Sequence, residues 1–225
     1  MYGVGVSLDG DREVHDQIRR EGSFNEAIST IRRLKEKKIE VCLLTTVSKL
    51  NINSLSDILV YALYNKVDSW QLQAVNPMGR MNRDYILDKN DYKSLSNFIN
   101  THQDNCLNIL GADNVSLGAK EWNGCQAGIS ALGVMSNGDI IGCLSMMNKD
   151  YIEGNIRKQN LKDIWLNPNA FSYNRKPQKL TGKCSGCKQL YCRGGCKSTN
   201  INQGNPNESP YCLNSNEEKY LNHQQ

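Results

Sequence analysis

No stretch of the sequence approaches the roughly 20 consecutive apolar residues of a membrane-spanning helix, so no membrane association is expected. The opening residues, "MYGVGVSLDG", lack the basic flank and apolar run of a secretory signal and read as a strand entering a turn. Charge of one sign is missing too. The 27 basic and 23 acidic residues are mixed along the chain and leave a net +4, too weak and too scattered to point to nucleic acid. There is no internal repeat, and residues 1–124 hold only two cysteines, Cys42 and Cys106. Without an export signal a reducing, cytoplasmic setting is expected, and with it metal-bound thiolates rather than disulfides.

Cysteine is what the rest of the chain has. Of nine in all, seven lie from position 125 onward. The spacing is Cys125, Cys143, then Cys184-x2-Cys187-x4-Cys192-x3-Cys196, then Cys212. A C-x2-C pair sets two sulfurs at adjacent corners of one metal centre. Gly186, Gly194 and Gly195 let backbone amides turn toward sulfur, an interaction that also tunes iron–sulfur potentials. Structural zinc takes four thiolates per site and favours paired C-x2-C units. A set of seven suits one fully ligated cluster plus a second with three protein sulfurs. The spacing therefore favours iron–sulfur and leaves zinc open. "ALGVMSNGDIIGCLSM" (131–146) reads as a β-hairpin about Asn137-Gly138 with a tight primed turn, placing Cys143 on its second strand. A turn and a short helix from about Leu161 follow.

The first half alternates strands and helices. Strands are expected at 2–10, 39–47 and 69–75, the last stopped by Asn76-Pro77. Helices are expected at 24–38, with Ser23 and Glu26 as a capping box, from Ser54 through Leu63, and at 88–103. The near-continuous apolar run "IEVCLLTTV" predicts a strand covered on both faces. This order means a parallel α/β sheet or partial barrel, with ligand chemistry at the C-terminal strand ends. Cys42 reads as a small buried hydrophobe, Cys106 lacks a partner at metal spacing, and Trp70, Trp122 and Trp165 read as packing residues. His15 reads as a turn cap.

The cysteine array, with twelve residues between Cys125 and Gly138 and four between Gly138 and Cys143, resembles the seven-cysteine SPASM domain, the C-terminal extension of many radical S-adenosylmethionine (SAM) enzymes that modify peptides and proteins. The x4 gap after Cys187 is one residue shorter than the common form. "VSLDGDREVHDQIRR" resembles the fourth strand and following turn of the radical SAM barrel, and "LQAVNPMGRM" its sixth strand and P-x-G-R turn.

The resemblance implies an α/β fold: the C-terminal half of a partial (β/α)6 radical SAM barrel (residues 1–115, last three β/α units), then a small cysteine-rich α+β SPASM domain with a β-hairpin (residues 116–225). It implies two 4Fe-4S clusters. Cys125, Cys143 and Cys196 match ligands of one, and Cys184, Cys187, Cys192 and Cys212 those of the other. Ser7, Asp9 and Arg19 match the region that contacts SAM. The C-x3-C-x2-C motif that holds the SAM-cleaving cluster in this family is absent, since Thr199 stands where the third cysteine after Cys192 and Cys196 would be. SAM binding is therefore expected only of a complete enzyme that includes the missing N-terminal half. The function implied is the C-terminal portion of a maturase acting on a ribosomally made peptide or protein, with a ferredoxin or flavodoxin as reducing partner. Leu144, where sulfatase maturases carry an acidic residue, points away from sulfatases. The alternatives are a non-catalytic iron–sulfur electron-transfer or peptide-binding module, and a zinc-stabilised interaction domain.

Overall fold

A computed structural model describes residues 3–79, 81–102, 107–112, 124–146, 148–188 and 192–212. Arg80, Cys106, Trp122, the expected boundary at 115 and the polar tail after Cys212 lie outside the described residues. The chain divides into two compact units, Met1–Val75 with Asn82–Leu117, and Asn76–Met81 with Gly118–Gln225. Among the described residues no helix is long and apolar enough to cross a membrane.

The first unit runs β1 (Val4–Ser7), α1 (Arg12–Ile18), α2 (Ser23–Glu36), β2 (Val41–Val47), α3 (Leu55–Tyr64), β3 (Ser69–Ala74), α4 (Lys89–His102) and β4 (Asn108–Gly111). The strands form a wholly parallel sheet in the order β1-β2-β3-β4. One strand and one helix exceed the expectation from sequence. Within β4 only Ile109 is buried, between exposed Asn108 and Leu110, with buried Leu107 just ahead of the strand. α1 forms where a turn was expected, because the Asp11 carboxylate accepts the Val14 amide (2.9 Å) and caps it.

The capping box expected at Ser23 and Glu26 does not form. Ser23 is already the first residue of α2, behind Gly22 at φ +80°, and Glu26 pairs with Arg20. Asp16 does the capping from the preceding helix, accepting the amides of Gly22 (2.9 Å) and Phe24 (2.7 Å) and the Ser23 hydroxyl (3.2 Å). α3 likewise starts without a side-chain cap from Ser54.

The sheet is also not covered on both faces. Along β2, Val41, Leu43, Thr45 and Val47 are buried, whereas Cys42, Leu44 and Thr46 are partly or fully exposed. β3 alternates in the same way, with Trp70, Leu72 and Ala74 inside. The apolar identity of Cys42 and Leu44 hides this period of two in the sequence. On the buried face, Phe24, Ile28 and Ile31 of α2, Ile58 and Ala62 of α3, and Leu95 and Ile99 of α4 complete the core. Trp70 packs there, and its Nε1–H donates to Thr45 Oγ1 (2.8 Å), whose hydroxyl donates to the Leu8 carbonyl (2.6 Å). The chain of bonds satisfies both buried polar groups and ties three strands.

The second unit holds an antiparallel sheet, β5 (Gly133–Val134), β6 (Asp139–Ile141) and β7 (Ile152–Asn155), and three short helices, α5 (Leu161–Leu166), α6 (Ser172–Arg175) and α7 (Lys197–Asn202). The expected hairpin is β5–β6, but its turn is not primed. The Gly138 amide bonds the Met135 carbonyl (2.9 Å), and only Gly138 has positive φ (+89°), not Asn137. That is a type I turn closed by a left-handed glycine, the other common hairpin solution. β6 ends at Ile141, so Cys143 lies just past the strand rather than on it. Ile140 packs with Ile164, Ala170 and Phe171, and Ile141 with Ala127 and Met146.

Candidate functional site

In the first unit the expected residues gather at the C-terminal end of β1. Asp9 is 1% exposed and fully engaged. Its Oδ1 accepts the Thr46 amide (2.9 Å), its Oδ2 accepts Arg19 Nε (2.5 Å), its own amide donates to His15 Nδ1 (3.0 Å), and its carbonyl accepts Asn51 Nδ2 (2.8 Å). Asp9 therefore pins the end of β2, α1 and the Asn51 loop to one another, with both carboxylate oxygens taken. Arg19 stays 40% exposed beside it. Ser7, the last residue of β1, faces the open side of the sheet instead, in a cross-strand row Ser7–Leu44–Gln71–Leu110. Next to that row Thr46 pairs with Gln73. His15 is buried, and because its Nδ1 accepts, its proton sits on Nε2. Burial above all lowers its pKa, with Arg19 adding to the effect and Asp9 and Asp16 opposing it.

In the second unit no described cysteine of the array is joined in a disulfide. Local structure aims backbone amides at the sulfurs. Cys125 receives the amides of Ala127 and Lys197, Cys184 that of Ser209, and Cys192 those of Gly195 and Gly194. The last pair depends on consecutive left-handed glycines (φ +83° and +85°), a conformation that turns adjacent N–H groups toward one anion. Burial pushes the Cys125, Cys184 and Cys192 thiols up, and the amides pull against it. The thiols that lie close enough to raise one another's pKa fall into two neighbourhoods. Cys143 acts on Cys125, Cys212 and Cys187 act on Cys184, and Cys212 and Cys184 act on Cys192. Cys196 caps α7, its sulfur 3.1 Å from Ser198 Oγ. No three donors among the described residues converge closely enough to grip a single ion. Thiols with amides aimed at sulfur are the donor set that iron–sulfur ligation uses, and the residues fit that group.

Two residues of this region are not legible in the sequence. Lys197 is 2% exposed, within a run Lys197, Ser198, Thr199, Asn200 that is buried throughout. Its only sequence signal is adjacency to Cys196. Tyr173 directs a buried hydroxyl toward the Gly142 amide, and that hydroxyl finds no well-formed hydrogen bond among the described residues. Its phenol is pushed up, first by burial and then by Glu153 and the Cys125 and Cys143 thiols.

Residues 125–188 match the SPASM family, an iron-sulfur cluster-binding domain. The AdoMet-dependent heme synthase of Methanosarcina barkeri is 24% identical over 236 residues, covering 93% of this chain and 67% of its own length. The cysteine-type anaerobic sulfatase-maturating enzyme of Clostridium novyi is 26% identical over 239 residues, covering 93% of this chain and 62% of its own. Among solved structures, Streptococcus suis SuiB bound to the precursor peptide SuiA superposes with a TM-score of 0.67 at 18% identity, over 92% of this chain and 52% of that one. The chain thus spans between half and two thirds of the length of these relatives.

Proposed function

From a chain that carries a SPASM domain and is related along most of its length to radical SAM enzymes, we propose the C-terminal portion of a radical SAM/SPASM maturase that modifies a ribosomally made peptide or protein. Its two domains are residues 1–115, the barrel portion, and residues 116–225, the iron–sulfur portion. The observation that carries the reading is that six of the seven array cysteines fall into two neighbourhoods, Cys125 with Cys143 and Cys184 with Cys187, Cys192 and Cys212, within a chain that matches a SPASM domain. We assign Cys125, Cys143 and Cys196 to one 4Fe-4S cluster and Cys184, Cys187, Cys192 and Cys212 to a second.

When bound, such clusters accept and deliver single electrons, here exchanged with a cytoplasmic ferredoxin or flavodoxin. The chain's own residues shape and shield them. Amides of Gly194, Gly195, Ser209 and Ala127 stabilise sulfur charge, and the Ile141–Met146 core beside Cys125 and Cys143 keeps water away. SAM cleavage belongs to the complete enzyme, because these 225 residues hold no C-x3-C-x2-C. There Ser7 and Arg19 would lie toward SAM, with Asp9 acting through Arg19 rather than by touching the cofactor. An open sheet face on which Ser7, Thr46, Ser69, Gln71 and Gln73 stand beside the exposed Leu44 and Leu110 supports a peptide substrate, offering both amide partners and apolar contact, as does the precursor peptide on SuiB.

The test is anaerobic purification with iron, sulfide and zinc analysis. A brown protein with about eight irons, four per cluster, is expected. Stoichiometric zinc without iron would favour the interaction-domain reading and overturn this one. SAM cleavage by this chain alone would overturn the assignment of that step to the complete enzyme.

A further inference from the structure

Lys197 is a buried cation without a carboxylate partner among the described residues. Its Nζ donates to the Arg193 carbonyl (3.1 Å) and the Pro206 carbonyl (3.3 Å), which hold it in place but do not neutralise it. Its backbone amide reaches the Cys125 sulfur. Burial pushes the Lys197 ammonium toward its neutral form and Arg193 adds to that, while Cys125, Cys184 and Cys192, drawn from both cysteine neighbourhoods, favour the charge. Glu208, a carboxylate that acts on Cys184, is occupied by the Lys183 and Asn205 N–H groups. Burying an ammonium without a counter-charge costs several kcal/mol, and proteins retain such groups where the charge is used.

We infer that the Lys197 ammonium sets the reduction potential of the iron–sulfur clusters in the cysteine array, holding both above the value that their ligands alone would give. The inference rests on the iron–sulfur reading above. Each reduction adds one negative charge to a cluster. A fixed cation within Coulombic reach, screened by little water, stabilises the reduced form more than the oxidised one. Its backbone follows Cys196 and bonds Cys125 of one set, and its Nζ sits on the carbonyl of Arg193, which follows Cys192 of the other, so Lys197 acts on both clusters at once. It is a positioning residue for charge and neither ligates iron nor touches substrate.

The test is an EPR-monitored redox titration of the whole reconstituted chain, with iron counted in each sample. Lys197→Gln keeps N–H donors for the two carbonyls but removes the charge, Lys197→Met removes both, and Lys197→Arg keeps the charge. With full iron, both neutral variants are expected to shift both midpoints to more negative values, and Lys197→Arg to stay near wild type. Unchanged midpoints in Lys197→Gln at full iron content overturn the inference and leave Lys197 a tether for α7. If both neutral variants lose iron while Lys197→Arg retains it, the charge serves to retain the clusters rather than to set their potential, and the inference fails. If all three lose iron, shape rather than charge is what matters and the inference fails. A wild-type chain that takes up no iron would fail the earlier reading instead.

Discussion

Asp16 caps a helix that is not its own: its Oδ1 accepts the Phe24 amide at 2.7 Å across the turn between α1 and α2. Three donors of the α2 start depend on this one carboxylate, and the Phe24 amide above all holds its pKa below the usual value. Asp16→Ala is expected to lower the urea midpoint of the first unit clearly more than Glu26→Ala, whose partner is the exposed Arg20. Equal effects, measured by circular dichroism, would restore the capping box.

His15 makes the same unit acid-sensitive. Its folded pKa lies below the ordinary 6.5, so the unfolded chain takes up the proton first. Its contribution is fully present above pH 6.5 and is lost as pH falls below that value, where protonation of Nδ1 removes the acceptor for the Asp9 amide. Urea midpoints at pH 7.5 and 5.5 should fall more steeply for wild type than for His15→Asn.

Leu43 and Leu44 are neighbours on opposite faces of β2. Leu43 is 0% exposed and Leu44 36%. Leu43→Ala should cost about 2–5 kcal/mol, and Leu44→Ala well under about 1 kcal/mol. Similar losses in chemical denaturation would mean that the sheet is covered on both faces after all.

Gly142 is required by Tyr173. A Cβ there would stand 1.8 Å from the Tyr173 hydroxyl and 3.3 Å from the Ala127 backbone. Gly142→Ala should cost about 1–3 kcal/mol by overpacking and lower iron uptake, since Cys143 follows directly. Adding Tyr173→Phe removes the nearest clash and should recover part of both, as read by iron analysis and denaturation.

The cysteine sets should empty separately. Cys192→Ser, or Gly195→Ala at φ +85°, which costs about 1–2 kcal/mol in backbone strain, should remove the iron of one cluster. Cys143→Ser should remove the other, and the double variant both. Iron and sulfide counts on anaerobic protein check it.

What could be read beforehand follows from how each signal is written along the chain. Cysteine spacing is discrete, so the array and its family likeness survive without a structure. β2 was legible as a long apolar run and β3 by its alternation of polar and apolar residues, yet the open face at β2 was not, since Cys42 and Leu44 are apolar where they are exposed. β4 has too few buried residues to separate from a loop, and α1 turns only His15 fully inward, a residue that no hydrophobic periodicity counts. Lys197 was invisible because a one-dimensional reading sends every lysine to the surface, and only the fold reveals what surrounds its ammonium.

The buried run from Lys197 to Asn200 carries one more consequence. A corner filled with an ammonium, two hydroxyls and an amide gains almost nothing from leaving water, so hydrophobic collapse cannot assemble it. What the thiolates bind must supply that energy, which makes cofactor loading the folding step of this corner. For this part of the chain, oxygen would then act as a denaturant.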